Sequence, residues 1–167
     1  MRVMFVCGGT AGHINPALAV AAEVKRRDPE AKILFVGSGR QLENRLIPQE
    51  GYRLVNITVR GFDRRLSPAM IAGNIRALNT LRSALRESEQ ILRAFAPDAV
   101  VGTGGYVCYP VLSKAADLGI PTFIHESNAV PGLTTRLLAG KVDKILLAFE
   151  DTPELRRSAH KTVYVET

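Results

Sequence analysis

RVMFVCGGTAGHINPALAVAAEVKRR, residues 2–27, joins a short apolar run to a glycine-rich loop and then to a helical pattern. The apolar run Arg2–Cys7 is bounded by Gly8 and Gly9 and reads as a buried strand. From Asn15 to Arg27, residues Ala17, Val20, Ala21 and Val24 recur at helical spacing and predict an amphipathic helix. Pro16 then falls in a first turn, where a missing N–H costs little. Strand, glycine loop and helix in this order open a parallel α/β sheet. Gly8–His13 would present backbone N–H groups at the positive end of a helix, a setting that suits a phosphate or pyrophosphate as well as a plain turn.

The same alternation continues outward. KILFVG (Lys32–Gly37) reads as a second strand, and QLENRLIPQEG as a short helix stopped by Pro48 and Gly51. YRLVNITV (Tyr52–Val59) is a third strand. A long helix is predicted from Pro68 to Phe95, with Ile71, Ile75, Leu78, Leu81, Leu85, Leu92 and Phe95 along one side. Further strands are expected at Asp98–Gly102, Thr122–Glu126, Lys144–Phe149 and Thr162–Glu166. Strands that are nearly all apolar require cover on both faces, so the fold class is α/β, a Rossmann-like parallel sheet with helices on each side. The whole chain, 1–167, forms one domain. A chain ending directly after a strand reads as the first part of a longer α/β protein.

Ligands of such sheets sit at the carboxyl ends of the strands. Three loops should rise there together: CGGTAGH, GTGGYVCYP (Gly102–Pro110) and HESNAVPG (His125–Gly132). Two glycine-rich loops at one edge suit a diphosphate or a sugar pressed against the backbone. His13, directly after the first cradle, is the best acid–base candidate, since a neutral imidazole can accept a proton. His125 closes a strand and reads as structural, and Asn128 or Ser127 is placed to cap the helix near Leu133.

Several classes are excluded. The first loop is not G-x-G-x-x-G, and the second strand ends on Gly37 and Ser38 with no acid for a ribose, so a nicotinamide dinucleotide does not fit. The Gly-Lys-Ser/Thr phosphate loop is absent. No Asp/Glu/His cluster has metal-ligand spacing, and Cys7 and Cys108 form neither a C-x-x-C pair nor a disulfide framework. The net charge of +6 and pI of about 9.7 favour an anionic partner. No aromatic-studded basic motif supports nucleic acid. The first apolar run is too short for a signal peptide, and no stretch reaches the roughly 20 apolar residues of a membrane span. Residues 60–93 carry seven arginines against three acids. Within them Met70 and Ile71 stand near Arg64 and Arg65, a pattern that fits either a solvated helix face or docking to an anionic bilayer.

GGTAGHINPALAVA, LENRLIP, GTGGYVCYP and IPTFIHESNAVPGLTTRLLA, in this order and at this spacing, resemble the MurG-type glycosyltransferases. The resemblance covers nearly the whole chain. It implies the N-terminal, acceptor-binding half of a two-domain GT-B enzyme, with the UDP-sugar domain lying beyond the chain. It further implies inverting transfer of N-acetylglucosamine from UDP-N-acetylglucosamine to the 4-hydroxyl of undecaprenyl-pyrophosphoryl-N-acetylmuramoyl pentapeptide (lipid I) at the cytoplasmic face of the bacterial membrane, without metal or other cofactor. Carried over by position, His13 and Glu126 are competing bases. Gly9, Thr10, Ala11, Gly12, Gly104, Gly105, Tyr106 and Asn128 are substrate contacts. Arg64, Arg65, Met70 and Ile71 are the expected membrane contact. Ala11 stands where the family more often has glycine, and Ser127 where it has glutamine. The alternatives are a related UDP-sugar epimerase and a membrane-recruiting, non-catalytic subunit of a split transferase.

Overall fold

The computed structural model describes residues 1–59, 68–150 and 152–165, with backbone alone for 68–78. Among the described residues seven strands form one sheet: β1 Arg2–Cys7, β2 Lys32–Gly37, β3 Arg53–Asn56, β4 Ala99–Gly104, β5 Thr122–Glu126, β6 Lys144–Leu147 and β7 Thr162–Tyr164. Five helices connect them: α1 Ala11–Arg27, α2 Gln41–Gln49, α3 Pro68–Phe95, α4 Cys108–Asp117 and α5 Leu133–Leu138, with a 3₁₀ helix at Pro153–Lys161. The strand order is β3-β2-β1-β4-β5-β6-β7, and every pairing is parallel. The order reverses between β1 and β4, which makes their carboxyl ends the topological switch point.

The period of two along each strand divides the core. Val3, Phe5 and Cys7 of β1 and Phe35 of β2 pack with Ile14, Ala17 and Ala21 of α1 and Ile47 of α2. Their neighbours Met4, Val6, Leu34 and Val36 face the opposite layer, with Ala84 and Leu92 of α3, Val111 and Leu112 of α4, and Leu138 of α5. Phe5 and Phe35 stack at 5.3 Å between ring centroids across β1 and β2. Cys7 and Cys108 are buried free thiols, and burial pushes Cys108 up to about 12 and Cys7 higher still.

Several expectations change: β4 runs Ala99–Gly104 rather than Asp98–Gly102, β6 stops at Leu147 rather than Phe149, and the N-cap of α5 is Gly132 with no side-chain bond from Ser127 or Asn128. Helix α1 starts at Ala11, not Asn15, because its first turn is built by the glycine loop and carries no apolar periodicity. Pro16 therefore lies inside the helix and cannot donate to the Gly12 carbonyl. Val20 is 45 % exposed, so the buried stripe of α1 runs through Ile14, Ala17 and Ala21. Strand β3 ends at Asn56 rather than Val59, as befits an edge strand whose residues are at most half-buried. Arg64 and Arg65, and the side chains of Met70, Ile71, Ile75 and Leu78, lie outside the described residues.

Candidate functional site

At the switch point the loops after β1 and β4 are laced together. The Gly8 N–H donates to the Gly104 carbonyl at 3.2 Å. The register slips between Val6, opposite Gly102, and Cys7, opposite Gly104, so Thr103 is the extra residue of a bulge. Its hydroxyl donates to the His13 carbonyl at 2.5 Å, tying β4 to the first turn of α1. Gly104 and Gly105 have φ of 127° and 91°, left-handed values that favour glycine. A Cβ at Gly104 would stand 2.7 Å from His13 Nε2, and one at Gly105 would stand 2.5 Å from the Gly8 carbonyl oxygen. These glycines let the two loops close on the histidine.

His13 is half-buried, and its Nδ1 lies 2.9 Å from the Gly8 carbonyl oxygen. A carbonyl only accepts, so this bond assigns the neutral ring's proton to Nδ1. Nε2 is left with a free lone pair.

The first loop is braced from below by a residue the sequence did not single out. Glu43 on α2 is fully buried. Its Oε1 accepts the Gly9 N–H at 2.7 Å and the Ser38 hydroxyl at 2.7 Å, while Oε2 accepts the Ser38 N–H at 2.6 Å. Gly9 therefore spends its N–H on Glu43, so the expected contact from Gly9 to a substrate does not come from that group. Thr10 is the N-cap of α1 without a side-chain capping bond, and its hydroxyl has no partner among the described residues. Among the described residues the N–H groups of Thr10, Ala11 and Gly12 meet no acceptor, as first-turn donors of a helix do not. Unpartnered donors at this N-terminus, with the helix dipole behind them, suit an anion and are called the cradle below.

A cavity of about 480 Å³ opens beside this first turn, with Thr10 in its lining and Ala11, Gly12 and Gly104 outside it. Gly8, Gly9, Thr10 and His13 line it from the loop after β1, Gly105 and Tyr106 from the loop after β4, and Val59 from the segment after β3. Ser38 and Arg40 enter from the loop after β2, bringing a hydroxyl and a guanidinium that were not expected there. A fourth glycine-containing loop at the same edge, GSGR, was the signal for them.

The loop after β5 lies apart from this lining. Glu126 is buried and accepts four bonds: from Asn128 N–H at 3.0 Å, Asn128 Nδ2 at 2.7 Å, Gly132 N–H at 2.9 Å and Thr135 Oγ1 at 2.6 Å. Burial raises its pKa, but the bonds from Thr135, Gly132 and Asn128 together outweigh that and leave it below the ordinary value. The carboxylate is thus the internal anchor of its own loop. Asn128 spends its Nδ2 there, and its side-chain oxygen has no partner among the described residues. Burial lowers the pKa of His125 against the opposing charge of Glu126, and its Nδ1 is buried without a partner among the described residues.

The model of the glycosyltransferase family 28 N-terminal domain matches residues 3–147. The chain is 47 % identical over 163 residues to the UDP-N-acetylglucosamine–N-acetylmuramyl-(pentapeptide) pyrophosphoryl-undecaprenol N-acetylglucosamine transferase of Ruminiclostridium cellulolyticum, covering 98 % of this chain and 44 % of that protein. It is 43 % identical to the enzyme of the same name from Acetivibrio thermocellus, with 98 % and 43 % covered. The chain thus spans less than half the length of these curated relatives. Among solved structures it resembles Acinetobacter baumannii MurG, with a TM-score of 0.80 and 30 % identity over 98 % of this chain and 45 % of that one. A UDP-GlcNAc 2-epimerase from Neisseria meningitidis has a TM-score of 0.70 at 14 % identity, covering 98 % and 45 %, a likeness of fold alone.

Proposed function

The chain belongs to the glycosyltransferase family 28 N-terminal domain family, and from that premise we propose that it is the acceptor-binding domain, 1–167, of a two-domain transferase. The reaction passes N-acetylglucosamine from UDP-N-acetylglucosamine to undecaprenyl-pyrophosphoryl-N-acetylmuramoyl pentapeptide, in peptidoglycan synthesis. The observation that carries this reading is the pairing of a helix N-terminus with a histidine that lines the adjoining cavity and whose Nε2 has no hydrogen bond among the described residues.

In the proposed mechanism the acceptor diphosphate lies on the N–H groups of Thr10, Ala11 and Gly12, with Arg40 beside it. The acceptor's 4-hydroxyl then donates to His13 Nε2. As the hydroxyl oxygen bonds to the anomeric carbon, its proton passes to Nε2 and the bond from that carbon to the UDP oxygen breaks. UDP leaves with the electron pair, on a second domain outside this chain. His13 is favoured over Glu126 because Glu126 already accepts four internal bonds. Asn128 offers its side-chain oxygen, and Tyr106 its exposed ring, as further substrate contacts.

The test is sugar transfer by the full-length gene product, with UDP-N-acetylglucosamine and a lipid-linked diphosphate acceptor. A β-linked disaccharide product is expected. Epimerised UDP-sugar instead would assign the chain to the epimerase alternative. Transfer that depended on a separately encoded chain would favour the split-subunit alternative.

No helix among the described residues is long and apolar enough to cross a membrane. An acceptor of this kind is embedded in one, so a peripheral contact on the cytoplasmic face is proposed at Arg64, Arg65, Met70 and Ile71. The full-length protein is expected to bind anionic vesicles at low salt and to release them as salt rises. Met70→Glu should weaken that binding severalfold, and equal binding by the variant would remove the assignment.

A further inference from the structure

A second, apolar cleft shares a wall with the polar cavity. It measures about 150 Å³ and is lined by Leu81 of α3, Tyr109 and Pro110 of α4, and Leu133 and Leu137 of α5. Val59 and Tyr106 line both spaces. Thr134 completes the lining, and among the described residues no charged side chain joins it. Leu137 is 55 % exposed and Tyr106 47 %, so apolar surface is presented to solvent immediately beside a site built for anions. The two spaces differ in kind and meet at one residue pair. An occupant of both must be an amphiphile, anionic where it meets the cradle and apolar from the next atoms onward.

Resting on the function proposed above, we infer that this cleft binds the phosphate-proximal isoprene units of the acceptor's prenyl chain. With the diphosphate on the first turn of α1, the chain leaves past Tyr106 and Val59 and lies between α3, α4 and α5. Tyr106 suits the junction, since its ring has an apolar body and a polar tip. The cleft has room for the first units only, so the remaining chain stays in the bilayer. The protein thereby recognises that a lipid is attached before the sugar is placed for attack, and a free sugar diphosphate is the poorer acceptor. Chain recognition here is separate from docking of the protein to the bilayer surface.

The experiment uses two soluble acceptors with the full-length gene product, one a methyl diphosphate sugar and the other its three-isoprene counterpart. Both are held below micelle formation, with no detergent or vesicle. Apolar burial of this extent should raise kcat/KM for the isoprenoid acceptor by about tenfold or more. Leu137→Gln and Leu81→Gln, assayed separately, should bring that ratio close to one. Leu137 is solvent-exposed, so its variant tests the cleft without disturbing the core. A ratio of one in the unmodified protein, or a ratio left intact in both variants, overturns the inference. Variants that lose vesicle binding but keep the ratio would give the cleft to the bilayer instead, which also overturns it. If neither acceptor is glycosylated, the transferase reading itself fails and the inference with it.

Discussion

His13→Ala is expected to lower kcat for sugar transfer by roughly 10²–10⁴-fold, the usual contribution of a positioned general base. The thermal midpoint should fall by only a few degrees. Among the described residues the ring makes one hydrogen bond, to the Gly8 carbonyl, and such a bond contributes about 1 kcal/mol. The KM for the acceptor should change little, because the cradle N–H groups belong to the backbone. Glu126→Gln gives the contrast. The amide cannot accept all four bonds, since one of its two ends now donates. It should cost about 1–3 kcal/mol of stability and move the melting curve. A His13→Ala variant that kept full rate, beside a stably folded but inactive Glu126→Gln, would transfer the base to Glu126.

The parts that the sequence announced were those set by local pattern. Nearly unbroken apolar runs located β1, β2 and β5, and the Pro68–Phe95 periodicity gave α3 its observed bounds. Parallel alternation placed the loops after β1, β4 and β5 at one sheet edge, and the first two do meet around His13. What was not legible depends on contacts between distant segments. Nothing in LENRLIP says that Glu43 reaches 34 residues back to the Gly9 N–H, because an acid near the start of a helix is ordinarily a solvated one. The bulge at Thr103 exists only when β4 is laid against β1. The internal satisfaction of Glu126 arises from a loop that folds back through Gly132 and Thr135, so the resemblance alone left it a competing base. In each case the buried charge or carbonyl had to find its donors in three dimensions, and only the folded chain brings them within reach.

Gly105→Ala should be the most destabilising single-methyl change in the site. The new Cβ would sit 2.5 Å from the Gly8 carbonyl oxygen and 3.1 Å from its carbon, at a φ of 91° that non-glycine residues rarely adopt. The obstructing atoms are backbone and are pinned. Gly8 donates its N–H to Gly104, and its oxygen holds His13 Nδ1. Relief therefore requires the two glycine loops to separate. Strain and displaced packing together should cost on the order of 2–4 kcal/mol, lowering the midpoint by roughly 5–15 °C. Gly119→Ala is the control: its φ is also left-handed, at 72°, but its Cβ would meet nothing within 4 Å. That substitution should cost about 1 kcal/mol from backbone conformation alone. The two variants also differ in function. Separating the loops withdraws the Gly8 carbonyl that fixes the His13 tautomer, so Gly105→Ala should lose transfer activity even at temperatures where it is fully folded, whereas Gly119→Ala should not. Equal melting shifts in the two variants, measured by calorimetry, would show that the loops have more room than their lacing implies.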